Sequence, residues 1–196
     1  GKEKNYLHTE IYPDFLITPH GGKLINRFVF DYKKEIPKKT LEIDQETLMD
    51  MEQIAIGAFS PLEGFMNERN FYSVVNEMRL SNGIVWPLPI ILSVDENVKK
   101  KINIWEDIYL NNNGMTYGIL HLEEIYKVNK KDMAQKIFGT ADILHPGVKK
   151  FLDYKEYFLG GKITLLKKRN YLRNIHDLTP RQTRKIFSEK GWSKIV

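Results

Sequence analysis

Residues 54–69 read IAIGAFSPLEGFMNER and join the two helices that the sequence predicts most clearly. The first is predicted over 45–55, because Asp44 can accept free amides at its start and apolar residues recur every three or four positions. A second helix is predicted after Asn67, which can cap it, and the Ser81-Asn82-Gly83 turn is expected to end it. The stretch therefore links two amphipathic helices through a short apolar loop.

Outward from this link, the middle of the chain favours strands. Residues 85–94 are apolar with prolines near their start, which indicates a strand entered from an edge. Segments 108–110 and 115–128 flank Asn111-Asn112-Asn113-Gly114, a turn that tolerates positive φ, so a hairpin is predicted there.

Two shorter helices and another strand are expected next. Helices are predicted over 130–138, capped by Asn129, and over 146–154, where Pro146 suits a first helical position. Residues 157–166 carry two adjacent glycines in an apolar run, which indicates a bulge or bend in a strand. The mixture predicts an α+β fold with a curled mixed sheet or small barrel.

The last predicted element has the clearest boundaries. Thr179 and Gln182 form a capping box, the helix is expected over 180–190, and Gly191 follows it. Residues 192–196 begin an apolar strand pattern at the chain end, where polar residues are usual. We therefore expect a fragment with one domain over 1–174 and the start of another over 175–196.

Composition narrows the classes of function. The 196 residues carry a net charge of +5, with −5 over 1–98 and +10 over 99–196. From Lys149 onward there are 13 basic and 4 acidic residues, so this quarter is expected to face phosphates or to dock on the acidic half. There is no cysteine, which excludes disulfides and fits a reducing compartment.

The compartment is expected to be the cytoplasm. Residues 1–15 contain neither the apolar stretch nor the small-residue cleavage site of a secretory signal, and the longest apolar stretch is too short and too proline-rich to span a bilayer. No membrane partner is therefore predicted.

Candidate chemistry in the residues is sparse. The histidines have no metal-ligand spacing, so no metal-binding residue is predicted. Residues 19–23 (PHGGK) and 160–162 (GGK) resemble anion-binding loops, although tight turns explain them better. Glu63, in FSPLEGF, is the most interesting carboxylate, with a loop-bonding role favoured over catalysis. Aromatic and basic residues over 154–173 suit either a core strand or stacking on nucleic acid.

The stretch that joins the two predicted helices also carries a resemblance to a family. Residues 54–69, with FYSVVNEMRLSNGIVWPLPIIL after them, resemble the N-terminal region of ATP sulfurylase (sulfate adenylyltransferase). Four further blocks agree in order: PHGGKLINR at 19–27, EIYKVNKKDMAQKIFGTADILHPGV at 124–148, LGGKITLL at 159–166 and TPRQTRKIFSEKGW at 179–192. The resemblance covers residues 16–196.

This resemblance implies a PUA-like pseudo-β-barrel with flanking helices, followed by the first helix of an α/β nucleotide-binding domain. It also implies that the parent enzyme joins ATP and sulfate, assisted by Mg²⁺, to give adenosine 5′-phosphosulfate and pyrophosphate, and a homo-oligomer is compatible with it. Catalysis of this kind depends on positioning and charge neutralisation.

The family's substrate-binding signatures are expected beyond the last residue of this sequence. Q-x-R-N-x-x-H and G-R-D-H-A are both absent, and Gln182-Thr183-Arg184 is followed by Lys185 instead of Asn. The resemblance therefore assigns no catalytic, cofactor-binding or metal residue to this chain, which we expect to be inactive alone, with its own catalytic domain as partner. The alternative is a stand-alone PUA-like RNA-binding module, although nucleic acid is the less favoured partner.

Overall fold

The computed structural model describes residues 19–29 and 39–166. In these ranges a mixed sheet of six strands is flanked by five α-helices, and a short 3₁₀ turn covers His20–Gly22. The elements are β1 (Lys39–Glu42), α1 (Gln45–Ala55), β2 (Gly64–Phe65), α2 (Glu68–Glu77), β3 (Leu92–Val94), α3 (Glu96–Lys99), β4 (Asp107–Asn112), β5 (Met115–Tyr126), α4 (Lys130–Phe138), α5 (Pro146–Leu152) and β6 (Tyr157–Leu165).

The sheet is built around three long antiparallel strands. β4, β5 and β6 are neighbours, with β1 parallel to β4 on one side and β2 antiparallel to β6 on the other. β3 pairs with the first residues of β6. The hairpin predicted around the Asn-Asn-Asn-Gly turn is confirmed as β4 and β5, and the α+β class is confirmed with it.

The helix starts that the sequence predicts are confirmed by their caps. Asp44 accepts a hydrogen bond from the Thr47 amide at 2.7 Å, and Asn67 accepts one from the Asn70 amide at 2.9 Å. Asn129 caps α4 in the same way. Each side chain satisfies an amide that has no partner inside its helix.

The predicted end of the second helix is wrong. α2 ends at Glu77, because Met78 adopts a left-handed conformation with φ 52° and its amide bonds the Val74 carbonyl. The Ser81-Asn82-Gly83 turn instead lies between Arg79 and Val85, which form an isolated antiparallel bridge.

Three further expectations need correction. The strand predicted over 85–94 is reduced to β3, since Pro87 and Pro89 have no amide hydrogen to donate to a ladder. The bulge predicted within β6 lies in its partner, because the pairing of β5 with β6 shifts register between Leu122 and Glu124. The helix predicted over 146–154 ends at Leu152.

The core has two main parts. One lies between α1 and the sheet, where Leu48, Met51 and Ile54 are fully buried against strand residues such as Leu120 and Ile163. The other is aromatic and joins α2, α4 and α5 to the end of the sheet. Its rings pack largely edge to face around Phe158, which adds to the stabilisation from burial.

The predicted domain boundary at Asn174 and the predicted helix over 180–190 lie outside the described residues. The same holds for the Trp192–Val196 end and for the Gln182-Thr183-Arg184 motif.

Candidate functional site

The fold brings together three residues that were separate candidates in the sequence: Glu63, Lys23 and Lys162. The Glu63 carboxylate lies 3.8 Å from the Lys23 ammonium and 3.6 Å from that of Lys162. The Glu63 carbonyl also accepts the Ile163 amide at 3.0 Å, which fixes the loop against β6. One carboxylate is therefore shared by the lysines that follow two different glycine pairs.

The glycines here serve close approach of the backbone. A Cβ on Gly64 would lie 1.8 Å from the Gly161 carbonyl oxygen, a distance that atoms do not tolerate. Gly21 has φ 74°, and a Cβ there would lie 2.9 Å from Pro61 and Ile84. Close packing and a turn, rather than an anion cradle, account for glycine at these positions.

The chemistry of this group is electrostatic. Its ion pairs are longer than hydrogen bonds, and both lysines are about half exposed, so each pair contributes at most about 1 kcal/mol. A shallow cleft of about 200 Å³ adjoins it, lined by residues that include Glu63, Glu123 and Lys162. We assign the group a loop-fixing role, in agreement with the role favoured for Glu63.

A second polar group lies on the sheet, and the sequence analysis missed it. His121 Nδ1 lies 2.7 Å from Asp107 Oδ1, and Nε2 lies 2.7 Å from Thr164 Oγ1. The order Asp-His-hydroxyl is that of a catalytic triad, but Thr164 is only 6% exposed. A nucleophile must reach its substrate, so the row is better explained as a cross-strand link between β4, β5 and β6. Strand register alone could have indicated the Asp107–His121 pair.

Two other histidines have structural partners. His20 Nε2 lies 2.8 Å from the Val85 carbonyl oxygen, and its ring contacts Trp86. His145 Nδ1 accepts the Gly147 amide at the start of α5. Across 19–29 and 39–166, no group of three or more His, Asp or Glu residues is placed to hold a metal ion.

The aromatic and basic stretch is described only over 154–166. Phe158 is fully buried, and Tyr154 packs edge-on against Phe151 and Phe158. The Tyr157 ring lies beneath the ammonium groups of Lys99 and Lys127. In these residues the core-strand interpretation is therefore favoured over base stacking.

The larger cleft, of about 410 Å³, lies between the start of α1 and α5. An ion pair between Glu46 and Lys150 connects these two helices. Burial, reinforced by the charge of Glu46, raises the pKa of Asp50 to about 6, although Lys150 opposes the shift. Burial and the charges of Glu46, Asp50 and Asp44 raise the pKa of Tyr154 to about 12. Carboxylates line the α1 side of this cleft, and lysines of the α5 side face them.

None of the described helices has the length and apolar character that a membrane span needs.

A mixed six-stranded sheet with flanking helices, as the described residues form it, defines an α+β domain. A family model described as "PUA-like domain" matches residues 17–168. The chain therefore belongs to the PUA-like domain family.

Its curated relatives confirm the resemblance to sulfate adenylyltransferase. The chain is 41% identical over 186 residues to "Sulfate adenylyltransferase" of Staphylothermus marinus, with 91% of this chain and 48% of that protein covered. It is 40% identical over 192 residues to "Sulfate adenylyltransferase" of Halothermothrix orenii, with 92% of this chain and 50% of that protein covered. It is 38% identical to "Probable bifunctional SAT/APS kinase 2" of Sorangium cellulosum, with 92% of this chain and 32% of that protein covered. The chain thus spans about half the length of the first two relatives.

A solved structure supports the fold alone. The chain described as "Hexameric APS kinase from Thiobacillus denitrificans" matches with a TM-score of 0.63 and 22% identity, covering 90% of this chain and 32% of that one.

Proposed function

We propose that this chain is the N-terminal accessory part of a sulfate adenylyltransferase, which converts ATP and sulfate to adenosine 5′-phosphosulfate and pyrophosphate. The observation that carries the proposal is the match of about nine-tenths of this chain to about half of each of two curated enzymes of that name. The PUA-like domain over 17–168 supports the accessory role.

The chain alone is proposed to be inactive. Nucleotidyl transfer requires groups that position ATP and sulfate and neutralise the developing charge. In the described part of the chain, the Lys23–Glu63–Lys162 group is largely self-neutralised, and the Asp107–His121–Thr164 row ends in a buried hydroxyl. ATP, Mg²⁺ and sulfate therefore belong, in this proposal, to residues of the parent enzyme outside the described ranges.

The partner that the accessory role requires is a catalytic domain of the same parent protein. Residues 149–196 have the basic excess noted above, and such a surface would attract acidic neighbours or the anionic substrates of that domain. This contact is part of the proposal.

The experiment is an assay for ATP formation from adenosine 5′-phosphosulfate and pyrophosphate with Mg²⁺. The purified chain is expected to give no ATP above the enzyme-free rate, while the full-length Staphylothermus marinus relative serves as the active control. ATP formation by the 196 residues alone would overturn the assignment of the chemistry to other residues.

Two further measurements separate the accessory role from the RNA-binding alternative. Sequencing the gene past the Val196 codon is expected to reveal Q-x-R-N-x-x-H within a short distance. Fluorescence anisotropy with single-stranded RNA at 50 mM salt is expected to show no binding. Binding that weakens steeply as salt rises would favour the alternative instead.

A further inference from the structure

The side chain of Arg27 is held along the edge of β6. The Leu165 amide donates to the Arg27 carbonyl at 2.8 Å, and the Val29 amide donates to the Leu165 carbonyl at 2.9 Å. Arg27 Nε in turn donates to the Ile163 carbonyl at 2.8 Å, and the residue is half-buried. A guanidinium is therefore fixed beside the sheet before any ligand binds.

Strand alternation places Arg27 on the face of the sheet opposite α1. Phe28 forms a parallel bridge with Leu165 and packs against the apolar core on the α1 side. Because neighbouring residues of an extended chain point to opposite faces, Arg27 lies on the other face, next to Thr164. We call this face of β4, β5 and β6 the outer face.

Most of the hydrogen-bonding capacity of this guanidinium is unused. The group carries five N–H donors, and within residues 19–29 and 39–166 the Arg27 side chain makes one hydrogen bond, to Ile163, and no ion pair. A partly buried charge without a counter-charge is costly. Since a guanidinium can donate to two oxygens of one oxyanion at once, its position suits an anionic ligand.

Two carboxylates near this part of the outer face already have partners. Glu63 is shared by Lys23 and Lys162, at 3.8 and 3.6 Å. Asp107 is bonded to His121 at 2.7 Å. Neither carboxylate forms an ion pair with Arg27, so the guanidinium is left to a ligand.

A third carboxylate, that of Glu123, lies farther along the sheet. Its backbone is next to Gly161, three residues from Thr164, which corresponds to roughly 10 Å along β6. Its side chain lines the shallow cleft beside Lys162. Because charges this far apart at a surface are largely screened by salt, Glu123 does not neutralise Arg27.

Lys162 is placed to supply a second contact. It lies two residues from Thr164 on the same face, about 7 Å along β6, and its ammonium is half exposed and only loosely paired with Glu63. A carboxylate ligand has two oxygens, which Arg27 alone would occupy. Sulfate and phosphate have further oxygens that can face Lys162.

We propose that Arg27 and Lys162 bind a free tetrahedral oxyanion, sulfate or phosphate, on the outer face of the sheet. Arg27 donates to two of its oxygens, and Lys162 contacts a third. This binding concerns the chain's own residues and does not depend on the proposed enzymatic role.

The test is an NMR titration of the purified ¹⁵N-labelled chain that follows the Arg27 Nε–H resonance and the Leu165 amide. Sodium sulfate replaces sodium chloride at constant ionic strength, and sodium phosphate is titrated in the same way. Both anions are expected to give a saturable shift. No saturable shift with either anion would overturn the proposal, whatever the variants do.

Variants of the two basic residues locate the site. Arg27→Met is expected to weaken sulfate binding by about 10-fold or more, and Arg27→Lys should also weaken it because the planar fork is lost. Lys162→Met is expected to weaken it by about 3-fold. The matched control is Arg69→Met, which removes the same charge from an exposed position of α2 and should leave the affinity unchanged.

The Leu165 amide reports binding in the variants, and their melting temperatures show that they are folded. Equal weakening by Arg27→Met and Arg69→Met would reduce the effect to net charge and overturn the site. An unchanged affinity in Arg27→Met would also overturn it. Adenosine monophosphate is titrated in parallel, and a response to this nucleotide without one to sulfate or phosphate would replace the free oxyanion by a larger ligand.

Discussion

His121 Nδ1 lies 2.7 Å from Oδ1 of Asp107, across the antiparallel pair β4 and β5. The other ring nitrogen reaches Thr164 on β6, so one imidazole connects three neighbouring strands.

Replacement of His121 is expected to destabilise the sheet. In His121→Phe, the Asp107 carboxylate and the buried Thr164 hydroxyl lose their partner, and a polar group left without a partner costs about 1–3 kcal/mol. Urea unfolding at neutral pH would measure the change in the free energy of unfolding. Glu123→Gln, at a nearby surface residue of β5, should change it by less than about 0.5 kcal/mol. Equal effects of the two substitutions would contradict the cross-strand role.

Asp50 is expected to make stability depend on pH. Because its pKa is raised to about 6 from an ordinary 3.8, the folded chain binds this proton more tightly than the unfolded chain, and Asp50 favours folding increasingly as pH falls from about 6 to 4. Asp50→Asn should therefore raise the free energy of unfolding by about 1–2 kcal/mol at pH 7.5, after allowance for solvent screening. The gain should disappear near pH 4. Urea unfolding at both pH values checks it, and a gain that is the same at both would contradict the expectation.

Gly64 is expected to admit no side chain. The Cβ of alanine would lie 1.8 Å from the Gly161 carbonyl oxygen, so β2 could not approach β6. Gly64→Ala should cost more than about 3 kcal/mol or prevent folding. Gly114→Ala is the matched control, because a Cβ there meets nothing within 4 Å and only the positive φ is strained, which costs about 1 kcal/mol. Circular dichroism melts of the two variants would show the difference, and similar melting temperatures would contradict it.

Glu106 is expected to stay ionised in acid. The hydrogen bond from Lys39, followed by those from Asn103, lowers the pKa of its carboxyl to about 2. Its contribution to stability is therefore complete above about pH 4.5 and is lost as pH falls toward 2. A carbon-detected NMR titration should place the midpoint near 2, and Lys39→Met should move it toward 4.5. A midpoint near 4.5 in the unmodified chain would contradict the bonds from Lys39 and Asn103 to this carboxylate.

Local features of the fold could be predicted from the sequence because they depend on neighbouring residues. The caps at Asp44, Asn67 and Asn129 each bond an amide three residues on, and the Asn-Asn-Asn-Gly turn needs only its own backbone geometry. The strand expected over 85–94 is shortened to β3 for a related local reason, because its prolines have no amide hydrogen to donate to a neighbouring strand.

Features that join distant segments could not be predicted in this way. Lys23, Glu63 and Lys162 are widely separated along the chain, and the packing of Gly64 on Gly161 and of Gly21 on Pro61 brings them together. The row through Asp107 depends on strand register in the same manner. Trp105 gave no local signal either, because its left-handed backbone, with φ 68°, accompanies a hydrogen bond from its amide to the distant Leu122 carbonyl.

The parallel pairing of β1 with β4 has a consequence for the order of folding. Lys39 and Ile108 are partners although 69 residues separate them, whereas β4 and β5 meet across a tight turn. Because loop-closure entropy must be overcome before distant contacts stabilise the chain, the β4–β5 hairpin can form early, while β1 has to join it later. A nascent chain thus makes β1 long before the strand that receives it, and β1 waits without that neighbour until β4 has been synthesised.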